Sequence, residues 1–526
     1  MLFAKIVFQS VISSNRIYHL FKNIGLSYSD ECGVMILTIF VFNKINCMKH
    51  LLLIITTFAL TVSSSFAQLR LPNVLSDNMI LQQGKNVCIW GESPARTKVT
   101  IEFQKQKKTV TSDHIGRWSV LLDTLNATSI PIKMTIRCGK EKIVLNNILV
   151  GEVWLASGQS NMEYSMNNHP KHPKPKRGDR DYLYKAYSTA DNQLIRVLHV
   201  RKELTDTLPT DGWKVLSQES LAPISAAAYF FADSLSKKLN VPVGIISSAW
   251  GGTPIEAWTS VEAYENSPIF ENKVSYNRLD GVDIAKRFDS MIAPIVPYTL
   301  RGFLWYQGEQ NVVQGDTDIY TDKMALLIDD WRGLWKDENM PFYFVQLAPY
   351  CYSQRRNDAK AKTWEALPMF WQAQEACLKI NNTGMVVTTD LIDKTTEIHP
   401  SYKWIVGRRL ARLALAKTYG YEDILYSGPT FKSVSFKGGE AIIEMENVGQ
   451  GLQTNDGKSP SWFQMADKSG RFFNAEAKII APNKISVRCK RYDKPLYVRF
   501  AWDELASPNL FNSEGLPAVP FGAKMR

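Results

Sequence analysis

The apolar positions of the chain change period twice. From Leu69 to Asn147 they alternate with polar ones in short runs, Val87–Trp90, Val99–Phe103, Trp118–Leu122 and Ile132–Ile136, punctuated by Gly91, Pro94, Gly116 and Asn126. A period of two broken by turn residues predicts an N-terminal β-sandwich over residues 68–147. The same texture returns in Ala441–Met445, Ile485–Cys489 and Tyr497–Ala501, which predicts a C-terminal β-rich domain over 423–526. Over 148–422 the pattern differs. Unbroken apolar runs (Ile148–Leu155, Val243–Ile246, Gly302–Trp305, Phe342–Val345, Met385–Thr388) alternate with stretches of helical spacing at Ala226–Leu239, Ile319–Trp335, Trp364–Ile380 and Tyr402–Tyr419. In the second of these, Met324, Leu327, Ile328, Trp331 and Trp335 fall on one stripe, the 3.6-residue period of a helix buried on one side. Apolar strands alternating with helices predict an α/β domain, a parallel sheet with helices on both faces. Ligands of such sheets bind beyond the carboxyl ends of the strands, so the search for chemistry starts there.

Composition narrows the classes. With 45% hydrophobic and 21% charged residues in 526, wholesale disorder, collagen and coiled coil are excluded. The net charge of +11 suggests an anionic partner, but no basic stripe is interleaved with aromatics, so nucleic acid is not expected. Seven cysteines are too few for a disulfide-built scaffold. None has the spacing of a metal-ligand pair, and neither a metal nor another cofactor is expected. Cys88 and Cys138 either bridge two strands of one sheet or remain buried thiols.

Residues 48–67 carry the three parts of a secretory leader: Met48-Lys-His, an apolar run from Leu51 to Val62, and a small-x-small ending at Ser65 and Ala67. The run is shorter than the roughly 20 residues of a spanning helix, so stable membrane insertion is not expected. Met48 is then the true start, Ala67 the last residue removed and 1–47 a non-native upstream extension. The expected location is secreted or periplasmic.

Four segments leave predicted strands at the carboxyl end with unusual chemistry. The first is Gly158-Gln-Ser160-Asn-Met162. A serine at a strand-to-helix turn exposes its oxygen beside backbone N–H groups, although the second glycine of a G-x-S-x-G elbow is replaced here by Met162. The second, Trp250-Gly-Gly-Thr-Pro-Ile-Glu-Ala-Trp258, pairs glycines whose backbone can approach a ligand. The third, Trp305-Tyr-Gln-Gly-Glu-Gln-Asn311, adds amides and a carboxylate. The fourth, Asp390-Leu-Ile-Asp-Lys-Thr-Thr-Glu-Ile-His-Pro400, supplies His399, the best-placed base among the seven histidines, with acids upstream to hold its tautomer.

In this order the four blocks resemble the SGNH (GDSL-like) hydrolases, and most closely the sialate O-acetylesterase family, whose C-terminal signature is resembled by Asn509-Leu-Phe-Asn-Ser-Glu-Gly-Leu-Pro-Ala518. The resemblance covers nearly all of the chain after the leader. It implies an SGNH α/β core flanked by β-rich domains, and a serine esterase that removes O-acetyl groups from sialic acids. It makes Ser160 the nucleophile and His399 the general base. The oxyanion hole would be the Ser160 N–H, a glycine N–H at Gly251 or Gly252, and the side-chain amide of Gln307, where much of the superfamily has asparagine. The superfamily often has aspartate three residues before the histidine, but here that position is Thr396. Asp393 is favoured as the acidic member, with Glu397, Glu309 and a Ser–His dyad aided by a backbone carbonyl as alternatives.

Other features fit less closely. His169-Pro-Lys-His-Pro-Lys-Pro-Lys-Arg177 is a basic loop that either attracts an acidic sugar or is a solvated insertion. Trp154, Trp250, Trp258 and Trp305 either stack on sugar or belong to the core. The rival readings are an acetylesterase for plant polysaccharide of the acetylxylan type and a carbohydrate-binding protein without catalysis. In each, the expected partner is an O-acetylated sugar or glycan.

Overall fold

The computed structural model describes residues 68–168, 171–355 and 363–524. The leader at 48–67, the upstream segment 1–47 and His169 lie outside them.

The apolar runs of the middle segment form six strands: β1 (Glu141–Gly158), β2 (Ile195–His199), β3 (Val243–Ala249), β4 (Gly302–Tyr306), β5 (Phe342–Val345) and β6 (Thr383–Val386). They lie in the order β6-β5-β4-β1-β3-β2 and pair in parallel throughout. Successive side chains of a strand face opposite sides, and both sides are apolar here. On β4, Phe303 and Trp305 meet Trp331 of the helix Tyr320–Trp335. Trp154 of β1 meets Tyr343 and, from the helix Ala226–Leu239, Phe231 on the opposite side. The sheet is therefore covered by helices on both faces, as the unbroken apolar runs imply.

Strand β1 does more than join this sheet. Its first half pairs antiparallel with Thr128–Cys138, and Leu149–Gly151 also pair with the short strand Ile80–Gln82. The register shifts between Met134↔Leu145 and Ile132↔Ile148, where Asn147 takes a left-handed φ of 56°. That is a bulge, the usual device for bending a strand from one sheet into another. The change of texture at 147–148 thus falls inside one continuous strand. Residues 430–524 supply a seven-stranded antiparallel sheet.

Cys88 and Cys138 are free thiols. Among the described residues no helix is long and apolar enough to cross a membrane.

Candidate active site

The chain runs out from the centre of the sheet on β1 and returns on either side of it, on β3 and β4. A crevice opens where the strand order reverses. Beyond Gly158 at the end of β1 comes the turn that carries Ser160, and the backbone there is tightly constrained. Gly158 has φ 136°, and a Cβ on it would lie 2.2 Å from the Tyr306 carbonyl oxygen of β4. Only glycine fits so close an approach. The next residue, Gln159, donates its N–H to that same oxygen at 3.0 Å. Its side-chain oxygen accepts from the N–H groups of Gly308 and Gln310 and from Gln307 Nε2, at 3.1–3.2 Å. Ser160 then opens the short helix Ser160–Glu163, where first-turn N–H groups have no partner within the helix.

Ser160 and His399 line the same cavity, of about 450 Å3. Glu163, His172, Lys202, Trp250 and Gly252 contribute to its wall. Two residues encoded far apart therefore line one cavity. Gly251 packs directly on the serine, since a Cβ there would lie 3.2 Å from Ser160 Cβ. Its N–H is already bound to Glu163 Oε2, and the other Glu163 oxygen pairs with Lys202 Nζ at 2.6 Å. Gly252, with φ 71°, lies on the cavity without such a bond among the described residues.

The His399 imidazole is held well below its ordinary value, at about 4, by burial and then by the charges of Lys403 and His172. It is neutral at neutral pH, as a general base must be. Glu397 is the carboxylate beside it: its Oε1 accepts the His399 backbone N–H at 3.1 Å and lies 3.8 Å from Nδ1. Asp393, favoured from the sequence, is engaged elsewhere. It accepts from Tyr402 Oη at 2.7 Å and the Lys176 N–H at 2.9 Å, and lies 3.9 Å from the Arg177 guanidinium. Its carboxylate anchors the basic loop to the segment that carries the histidine. The loop is accordingly docked rather than free, and its His172 ring stacks on Tyr164 and meets His399 edge-on. His172, Glu397 and His399 bring ligand atoms within 4.8 Å of one another. That spacing could admit a divalent ion, which would take the imidazole out of proton transfer.

Gln307, expected to donate to the oxyanion, sits elsewhere too. It is fully buried behind the cavity wall. Its Nε2 donates to Asn311 Oδ1 at 2.6 Å and to Gln159 and Thr253, while its Oε1 accepts from Tyr320 Oη at 3.0 Å. With both ends of the amide satisfied by protein, it ties three strand-end turns together. Glu309 does reach the cavity but is almost wholly buried, and burial pushes its carboxyl up to about 7. Trp154, Trp258 and Trp305 are core residues, whereas Trp250 lines the cavity with Arg287 stacked on its ring at 3.6 Å.

Residues 150–416 match the family model "Carbohydrate esterase, sialic acid-specific acetylesterase". The chain belongs to that family. The sialate O-acetylesterases of Homo sapiens and Pongo abelii are each 26% identical to it, over 86% of this chain and 92% of theirs. The crystal structure of a carbohydrate acetylesterase from Xanthomonas citri superposes with a TM-score of 0.76 at 30% identity, covering 87% of this chain and all of that one. Family membership, like the fold, agrees with the reading from the four sequence blocks.

Proposed function

We propose that the protein is a serine carbohydrate O-acetylesterase acting on O-acetylated sialic acids. The observation that carries this reading is that Ser160 and a neutral His399 line one cavity. Ser160 Oγ attacks the acetyl carbonyl while His399 takes its proton. The oxyanion faces the N–H groups of Ser160 and Gly252; Gly251 joins them only once Glu163 lets go of its N–H. Collapse expels the sugar hydroxyl, which receives the proton from His399. Water then repeats the sequence and releases acetate. Glu397, the carboxylate beside Nδ1, steadies the imidazolium formed at each step.

For the sugar, the support is the family; on the cavity wall, an acid such as sialic acid would compete with Glu163 for Lys202. The leader at 48–67 would deliver the enzyme to the periplasm or outside, where glycans are met. The test compares acetate release from O-acetylated sialic acid and from acetylated xylan. The expected result is a clear preference for the sialic acid, and activity on xylan alone would refute the substrate. Ser160→Ala should lower kcat by about 10⁴-fold or more on either ester, and a variant retaining turnover would refute the nucleophile.

A further inference from the structure

At the back of the cavity, reaching it only through Glu309, lies a polar cluster that the reaction as written does not use. Lys403, on the first turn of the helix Lys403–Lys417, has its side chain fully buried. An ammonium there is costly unless every proton finds an acceptor. Its Nζ donates to Asn161 Oδ1 at 2.6 Å and to the Pro400 carbonyl at 2.7 Å, and it faces the rings of Tyr164 and Tyr306 at 4.9 and 5.4 Å. Asn161 spends its amide protons in the other direction, on Glu309 Oε1 at 2.5 Å and on the Ile398 carbonyl at 3.0 Å.

The two carbonyls are the ones that flank His399 in sequence, and Asn161 is the residue after Ser160. One amide therefore spans the gap between nucleophile and base, gripping the histidine segment directly through Ile398 and indirectly through Lys403 and Pro400. Glu309, from the turn after β4, supplies the third anchor. An asparagine suits the centre of this junction, because it donates two protons and accepts at the same time.

We propose that Lys403 and Glu309 are positioning residues that act through Asn161 to hold His399 at the distance from Ser160 that proton transfer needs. The proposal rests on the serine esterase reading, and Ser160→Ala tests that reading separately. The bridge sets the alignment of the two reacting groups and not the pocket for the sugar, so its loss should fall on kcat. Misplacing a catalytic group by about 1 Å costs on the order of 10²-fold.

The experiment measures kcat and KM on a small acetyl ester, together with the rate at which a serine-directed phosphonate labels Ser160. Lys403→Met, similar in length but unable to donate, should lose about 10–100-fold in kcat. KM should stay within about twofold, and labelling should slow in parallel. Glu309→Gln, which keeps an oxygen for Asn161, should retain most of the activity, whereas Glu309→Ala should behave like Lys403→Met. If Lys403→Met fails to fold, as thermal unfolding would reveal, Asn161→Ala replaces it with the same expectation. Wild-type kcat and labelling in Lys403→Met or its substitute, beside an inactive Ser160→Ala, would overturn the proposal and leave the esterase reading intact. Equal loss in Glu309→Gln and Glu309→Ala would overturn it too, because the charge and not the bridge would then matter.

Discussion

The two sides of the cavity are built on different principles. Ser160 follows the central strand of the sheet with a single residue between, and its turn is fixed by backbone contacts with the adjacent strand: Gly158 against the Tyr306 carbonyl, and the Gln159 N–H on the same oxygen. His399 follows the outermost parallel strand, Thr383–Val386, at the end of a long irregular segment. That segment is held mainly by side chains: Asn161 to Ile398 and Arg177 of the basic loop to Asp390 and Ile392 from elsewhere, and Lys403, just beyond it, to Pro400, with one backbone bond from the Cys351 N–H to Thr395. The nucleophile is thus placed by the fold itself, and the base by a few specific bonds laid over it. Damage on the first side should register as lost stability, and on the second as lost rate.

The largest effect should come from Gly158→Ala, which drives a methyl group into a backbone carbonyl of the neighbouring strand. We expect a loss of about 3 kcal/mol in stability, read as a fall in Tm; an unchanged Tm would break the comparison. On the other side, Glu397→Gln should leave Tm nearly unchanged and lower kcat by about 10²-fold, since the imidazolium loses its neighbouring carboxylate. Asp393→Asn, altering an anchor away from the imidazole, should cost only a few-fold in kcat. If the two variants exchanged ranks, Asp393 and not Glu397 would be the partner of the base. The smallest effect is on pH dependence. Protonation of His399 removes the base, and its value is pushed down from the ordinary 6.5 to about 4. Activity should therefore stay level as pH falls from 7 through 6.5, declining only towards 4. A kcat/KM profile that halves near 6.5 would show that the imidazole is more solvated than its surroundings imply.

Much of this was legible in the sequence, for reasons that differ by residue. The strands of the parallel sheet announce themselves because burial on both faces demands unbroken apolar runs, and Ala226–Leu239 matches its predicted bounds because a helix packed on one side must repeat every 3.6 residues. Ser160 is legible because it follows a strand end directly, and His399 because it stands beside acids in the segment after the last parallel strand; the structure puts both on one cavity. Asn161 and Lys403 were missed, although both stand within four residues of those groups. Their significance lies in being buried and bonded to partners more than 200 positions away, which no local pattern encodes. Gln307 misled for the converse reason: a glutamine at a strand end looks available, yet its carbonyl and amide are consumed by Tyr320, Asn311, Thr253 and Gln159. Asp393 and Glu397 lie four positions apart in one irregular stretch, and sequence spacing cannot say which of two acids turns inward.

The bulged strand Glu141–Gly158 has a consequence for anyone who would trim this protein to its hydrolase core. Its outer half takes hydrogen bonds from Thr128–Cys138, and near the bulge the buried Gln82 receives the Val153 N–H on its side-chain oxygen. A fragment beginning near residue 150 would lose that outer half together with the strand Ile80–Gln82, and would leave the Val153 N–H and the edge at Val150–Gly151 bare on the very ribbon that ends at the nucleophile. The front portion of the molecule is a splint for the reaction centre, and the shortest working enzyme should have to include it.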